Sequence, residues 1–331
     1  MDEVSISVKN LSVGYLSDYG LIRVLRNVSI DIPRNKITGI AGESGSGKST
    51  LATAVMGFVS PPMIVESGDV IINEKYKIFN LDDIELNQIR GKIISYVPQA
   101  AQNSLNPIRK VKETFADILK SKGMDYYNNL SMIYKALEDV GLSDKQILDM
   151  YPFQLSGGMK QRVVIAISLL LNPEIVIMDE PTTGLDVVVQ YEILRLIKKL
   201  QKERNLTLVI ISHDIAMLFQ ISDYIAVMYG GQIVEYGKYN TLLEEAYHPY
   251  TYLLLNSIPT IRARGKKLPR ISGDFEGFIR YPKGCVFSYR CPFATITCKD
   301  SQPETVKYDS FGYYKCHRYP EWRNEVKKAY E

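Results

Sequence analysis

No apolar run in this chain of 331 residues is long enough to cross a bilayer; the longest extends from Val163 to Leu171. No basic, apolar leader opens it either, since Met1 runs straight into a charged, strand-like segment. The expectation is a soluble, cytoplasmic chain that docks on membrane partners. Charge of one sign is lacking too. The net charge is +3 and no basic stripe is interleaved with aromatics, so nucleic acid is not an implied partner. No internal repeat is present. Cysteine is missing from everything before Cys285, and all four cysteines fall in the last fifth of the chain. The length leaves room for one large domain with its own core and a smaller appendage.

The most informative segment present is Gly42-Glu43-Ser44-Gly45-Ser46-Gly47-Lys48-Ser49-Thr50. It lies between an apolar run, Lys36 to Ala41, and a helix-compatible segment, Leu51 to Phe58. Its glycines permit a tight turn whose backbone N–H groups face one centre, and a following helix adds its unpaired amides. That combination suits a polyphosphate. Lys48 is placed to reach the β- and γ-phosphates, and the Ser49 hydroxyl to hold Mg²⁺.

Around this loop the chain alternates strands and helices. Val4 to Val13 and Val24 to Ile32 read as strands with a loop from Leu16 to Gly20, and Gly68 to Asn73 and Lys92 to Val97 as shorter ones. A polar, helix-rich insert covers Val111 to Val140, and Gly158 to Leu170 reads as a buried helix. Ile175 to Met178 and Leu208 to Ile211 are compact branched runs suited to a parallel sheet, separated by the helical Val187 to Lys202. Ile225 to Tyr229 and Gln232 to Glu235 fit a hairpin through Gly230-Gly231. Between Pro259 and Pro269 the composition turns basic and Pro/Gly-containing, which marks a linker.

Further residues carry chemistry or ordinary structure with equal ease when taken singly. Asp179 and Glu180 end a buried-strand pattern, as Mg²⁺ ligand and general base or as solvated acids. Gln99, after Val97-Pro98, is a γ-phosphate sensor or a loop glutamine. His213, after Ile211-Ser212, contacts the γ-phosphate or caps the core. Tyr15 stacks on a base or is one of 23 tyrosines. Ser156-Gly157-Gly158 caps the next helix and leaves its first amides uncovered, which is a second phosphate-binding surface or a plain helix start. Since the first surface already has its loop and lysine, the second suits nucleotide held by another subunit.

Together these segments resemble the ATP-binding cassette (ABC) family. Gly42–Thr50 resembles its Walker A loop, Gln99 its Q-loop, Leu155–Gly158 its signature, Ile175–Asp179 with Glu180 its Walker B strand and catalytic glutamate, Gly184-Leu185-Asp186 its D-loop, and His213 its switch histidine. Gly42 to Ser49, Ser104-Leu105-Asn106-Pro107, Tyr151-Pro152, Gly158-Met159-Lys160-Gln161-Arg162 and Asp179-Glu180-Pro181-Thr182-Thr183-Gly184-Leu185-Asp186-Val187 further resemble the ATPase of oligopeptide/dipeptide importers, and the Gly158–Arg162 and Pro181–Asp186 forms resemble its D-type subunit.

The resemblance implies an α/β P-loop NTPase (RecA-like) core with an antiparallel β subdomain and a helical subdomain at about 100–165, all within residues 1–258. A C-terminal extension follows at 259–331. It implies ATP and Mg²⁺ as ligands: Tyr15 on adenine; Gly42, Ser44, Gly45, Ser46, Gly47, Lys48, Ser49 and Thr50 on phosphates; Ser49, Gln99 and Asp179 on Mg²⁺. Glu180, His213 and Gln99 then act in hydrolysis, while Ser156, Gly157 and Gly158 face ATP on a partner subunit. The implied partners are an F-type ATPase in a heterodimer, two membrane permeases and an extracellular binding protein, with the chain peripheral on the cytoplasmic face of the membrane. Peptides are the default cargo, and related systems carry oligosaccharides or nickel. Soluble cassette proteins of DNA repair or the ribosome are the competing class, but this chain has neither a long coiled-coil insert nor a second cassette.

Cys285, Cys291, Cys298 and Cys316 suit a four-thiolate iron–sulfur or zinc site, or two disulfides. Neither paired C-x₂-C spacing nor a ferredoxin run selects among them. The resemblance of Gly284-Cys285 and Arg290-Cys291-Pro292 to the extension of peptide-transporter ATPases implies a [4Fe–4S] cluster of structural role.

Overall fold

The computed structural model describes residues 3–18, 20–257, 271, 273 and 281–330, with side chains described through residue 326. The linker expected at Pro259–Pro269 lies outside the described residues. Two compact units divide the chain: Met1–Pro33, Thr38–Phe79 and Ser212–Glu331 make the first, and Arg34–Ile37 with Asn80–Ile211 the second.

In the first unit an antiparallel sheet runs in the spatial order Gly20–Pro33, Val4–Ser17, Met63–Ile72, Tyr76–Lys77. Strands one and two are longer than their apolar alternation indicates. Within the loop expected from Leu16 to Gly20, Leu16, Ser17 and Gly20 belong to the strands instead: Gly20 takes φ 100° and the Ser17 hydroxyl donates to its carbonyl at 2.8 Å. The strand expected at Gly68–Asn73 begins at Met63. Gly68 looks like a breaker but sits at φ 93° beside the Asn10–Leu11 backbone, where a Cβ would come within 2.5 Å.

The same unit holds residues 38–41 of strand Ile37–Ala41, parallel to Tyr224–Tyr229, which turns back through Gly230-Gly231 into antiparallel Gln232–Lys238, as expected. The C-terminal residues extend this sheet: Tyr313–Tyr314 pairs with Glu235-Tyr236, and Val306–Lys307 pairs with Tyr313–Tyr314. Sequence patterning gave no sign of these two-residue strands. Aromatics supply much of the core here. Tyr236, Tyr250, Phe287 and Trp322 are fully buried, and Tyr247 stacks on Tyr308 and Tyr314 at 4.5 and 5.0 Å.

One buried acid pins this region. Glu235, fully buried, accepts from the N–H groups of Tyr247 at 2.7 Å and His248 at 3.0 Å. Burial raises its carboxyl from 4.5 to about 7, and burial lowers the His248 imidazole from 6.5 to about 3. Above pH 4.5 the folded state keeps a Glu235 proton that the unfolded chain releases, so this group loses stability as pH rises. Below pH 6.5 the unfolded chain protonates a histidine that the fold holds neutral, so that group gains stability as pH rises. Between 4.5 and 6.5 the two cancel. Glu235→Gln is therefore expected to leave the histidine slope alone, a rise of up to about 1.4 kcal/mol per pH unit. Urea unfolding at the two ends of that range checks this; a flat profile in the variant contradicts it.

The second unit is built on three parallel strands, Ile94–Val97, Ile175–Asp179 and Thr207–Ser212, with the middle one buried along its whole length. Helix Val187–Arg204 connects the last two, which is the βαβ spacing expected. Helix Gly157–Leu169 is buried on several faces. The polar insert forms helices Val111–Ser121 and Leu130–Asp139, and Arg204 pairs with Asp139 at the end of the latter.

Candidate nucleotide site and a cysteine-lined cavity

The buried strand Ile37–Ala41 delivers the chain into the glycine loop, and helix Lys48–Val55 leaves it. A Cβ at Gly42 would lie 2.3 Å from the Met228 carbonyl, and one at Gly47 would lie 2.7 Å from the Leu25 side chain. Gly47 also takes φ 101°, so neither position accepts a side chain. Lys48 Nζ donates to the carbonyls of Gly42 and Glu43 at 2.8 and 2.9 Å, closing the loop into a ring. Among the described residues the buried Ser46 hydroxyl has no hydrogen-bond partner, an arrangement that an entering phosphate oxygen would satisfy. Ser44, Gly45 and Ser49 are exposed at its mouth. Tyr15, half-buried on its strand, brings its hydroxyl to 3.4 Å from Thr50 Oγ1. His213 is exposed, between the strand end at Ser212 and Asp214, which caps the next helix through the Met217 N–H at 3.0 Å.

In the second unit Asp179 is buried at its strand's end, and its Oδ2 accepts from the Tyr96 hydroxyl at 3.3 Å. Burial first, and the adjacent Asp179 carboxylate second, push the Tyr96 phenol far above its ordinary range. Glu180 follows with φ 53°, a left-handed backbone that an acid adopts only when its surroundings impose it. Its N–H donates to Ile211 O at 2.9 Å and its Oε2 accepts from Thr183 Oγ1 at 2.6 Å. Gln99 is exposed just past Val97-Pro98.

Ser156 caps helix Gly157–Leu169 by accepting from Met159 N at 3.3 Å. Its two glycines lie against the Gly184–Asp186 turn: a Cβ at Gly157 would meet Gln102 and Leu185 at 3.3 Å, and one at Gly158 would meet Val189 at 2.8 Å. Gln102 also donates to Thr183 O at 3.4 Å. Tyr96 and Gln102 were not singled out from the sequence. Tyr96 had a weak signal, as a polar tip in a short strand beside the Asp179 strand; Gln102 had none. The structure thus groups Tyr15 with the glycine loop in one unit. In the other it groups Asp179, Glu180, the Ser156 helix start and the Gly184 turn.

The four cysteines come together. Cys285, Cys291, Cys298 and Cys316 line a single cavity of about 10 Å³ with His248, Phe287 and His317. All four are free thiols. Burial pushes Cys285 up to about 11 and Cys291 and Cys316 up to about 12, and the neighbouring sulfurs add to each rise. Among the described residues, no three His, Cys, Asp or Glu side chains stand at metal-holding distance.

A buried strand, a glycine loop closed on its own lysine and a helix leaving that loop define a P-loop nucleotide-binding protein. Residues 25–183 match the ABC transporter family model, and residues 234–298 match the oligopeptide/dipeptide transporter C-terminal region. The dipeptide transport ATP-binding protein DppD of Caldanaerobacter subterraneus subsp. tengcongensis is 41% identical over 323 residues, 97% of this chain and 98% of that protein. The oligopeptide transport ATP-binding protein OppD of Salmonella typhimurium is 36% identical, covering 91% of this chain and 90% of that one. Among solved structures, the dimeric cassette of the bacterial ABC transporter protein MJ0796 superimposes with a TM-score of 0.62 at 32% identity, over 71% of this chain and 98% of that one. The chain belongs to the ABC transporter family, in its oligopeptide/dipeptide branch, and is the ATP-hydrolysing subunit of an importer of that type. Among the described residues no helix is long and apolar enough to cross a membrane.

Proposed function

We propose that this subunit powers peptide import. It works as the D-type half of an ATPase heterodimer on the cytoplasmic face of the membrane, beneath two permeases fed by an extracellular binding protein. The observation that carries this reading is the joint match of the cassette and of the oligopeptide/dipeptide C-terminal region, together with relatives named for dipeptide and oligopeptide transport along nearly the whole chain. Residues 1–258 serve as the nucleotide-binding domain, with its helical subdomain at about 100–165, and residues 259–331 as the extension.

Gly42 and Ser44 to Thr50 cradle the phosphates, with Tyr15 on the adenine. Ser49, Gln99 and Asp179 hold Mg²⁺, which screens the phosphate charge when bound. The Lys48 charge held on the carbonyls of Gly42 and Glu43, and the buried Ser46 hydroxyl with no hydrogen-bond partner among the described residues, support this reading, because a phosphate oxygen would satisfy that hydroxyl beside a cation. Glu180 accepts a proton from the attacking water, and His213 and Gln99 orient it towards the γ-phosphate. Ser156, Gly157 and Gly158 contact ATP held by the partner ATPase.

The four cysteines hold a structural [4Fe–4S] cluster. Their convergence on one cavity as free thiols supports a shared centre, and an all-sulfur donor set is the one such clusters use.

Lys48→Ala is expected to weaken ATP binding by about 100-fold or more and to abolish transport, since it removes a cation buried in the loop that takes the phosphates. Nucleotide titration of the purified chain, and peptide uptake by the transporter reconstituted with its permeases, check it. Wild-type affinity in the variant would defeat the loop assignment. Normal ATP binding with no peptide-stimulated turnover in the complete assembly would defeat only the choice of cargo.

A further inference from the structure

The phosphate loop contains an acid, and the C-terminal extension holds it. Glu43 Oε2 accepts from Arg290 Nη1 at 2.8 Å, with the arginine side chain 12% and the glutamate 28% exposed. The same Nη1 lies 3.3 Å from the Tyr229 hydroxyl, and Nη2 donates to Gly273 O at 2.6 Å. The Glu43 main chain is fixed too: its N–H donates to the Tyr250 hydroxyl at 3.1 Å and its carbonyl accepts from Lys48 Nζ at 2.9 Å. Behind them Tyr229, Tyr250 and Phe287 pack edge-on and tilted, with centroids 4.7 to 5.2 Å apart. The turn that carries Arg290 rests on Phe287, whose carbonyl accepts from the N–H groups of Arg290 and Cys291 at 3.0 and 2.9 Å.

We propose that Arg290 is a positioning residue for nucleotide binding: it neutralises Glu43 beside the triphosphate and, with Tyr250, fixes the loop carbonyls that hold Lys48. This rests on the reading of Gly42–Thr50 as the ATP loop. A bare carboxylate on a phosphate-binding loop repels every phosphate charge that enters. A partly buried guanidinium removes that repulsion with little screening from salt. The burial of both partners and the three separate holds on Glu43 distinguish this pair from the exposed pairs of the helical insert, such as Lys135 with Glu138. An arginine that merely anchored the extension would need no acid inside the glycine loop.

The test titrates the full-length chain with MgATP, MgADP and adenosine, as wild type, R290M, R290K, E43Q, E43Q/R290M and K48A. R290M is expected to weaken ATP binding about tenfold, ADP binding less and adenosine binding not at all, because the loss follows phosphate charge. R290K is expected to recover part of the loss, and E43Q/R290M most of it, since removing the acid removes the need for its partner. E43Q alone keeps an acceptor for Arg290 and is expected to bind ATP at least as tightly as wild type. If R290M does not fold, E43Q decides: weaker ATP binding there overturns the proposal. So does R290M with unchanged ATP affinity, an equal loss for ATP and adenosine, or a double variant no better than R290M. A wild-type chain that binds ATP no better than K48A would instead defeat the loop assignment itself.

Discussion

Glu180→Gln is expected to cut steady-state ATP turnover by about 10²- to 10⁴-fold while ATP affinity stays within about twofold of wild type. The substitution keeps shape and removes only basicity. The backbone bond from Glu180 N–H to Ile211 O does not involve the side chain, and an amide oxygen still accepts from Thr183 Oγ1. Stability should therefore hold within about 0.5 kcal/mol. The left-handed backbone at this position gives a sharper comparison. Glu180→Gly relieves a conformation that strains any residue with a Cβ by about 1 kcal/mol, so it should unfold no more easily than wild type yet turn over as slowly as the glutamine variant. A chain that is as stable or more stable and nevertheless inert is the signature of strain kept for chemistry. Phosphate release measured beside a denaturant midpoint checks both variants. Undiminished turnover by either one in the complete transporter would remove Glu180 from the reaction.

How far this could be read in advance depended on how local each cause was. The glycine loop was legible because the steric demand at Gly42 and Gly47 and the charge on Lys48 lie within a few residues of one another. The buried strand Ile175–Asp179 was legible for the same reason, since an unbroken branched run has few other uses. The hairpin at Gly230-Gly231 announced itself through its turn. What escaped was non-local. Tyr313–Tyr314 becomes a strand only because the edge at Glu235-Tyr236 is there to pair with. Gly68, a breaker by composition, stays in its strand because it faces the bulge at Asn10 and Leu11 on the neighbouring one. Arg290 reaches Glu43 across 247 positions of sequence, and nothing near either residue foretells the other. The motifs gave the chemistry of the loop, while the groups that hold it in place came from the tertiary structure.

On the proposed four-thiolate centre, Cys291→Ser is expected to strip metal from the extension and destabilise it by about 5 kcal/mol or more, because energy from binding a structural metal is folding energy. The physical case rests on what four buried thiols do without a cation. Burial holds Cys285, Cys291 and Cys316 as neutral thiols, and neutral thiols of this kind add only the packing of small apolar groups. Packing alone predicts that Cys291→Ala costs about 1 kcal/mol and changes no colour. A shared iron–sulfur centre predicts that alanine and serine are equally damaging, that wild-type protein purified without oxygen is brown, and that it carries iron and acid-labile sulfide in equal amounts. Since the turn bearing Arg290 is built on the segment between Cys285 and Cys291, the same variants should also weaken ATP binding, by no more than R290M does. Iron, sulfide and zinc analysis beside unfolding of the wild type and both variants decides. Colourless protein with one zinc would keep the four-thiolate centre and reject the cluster. Metal-free protein that the alanine variant matches to within about 1 kcal/mol would reduce the cysteines to ordinary core.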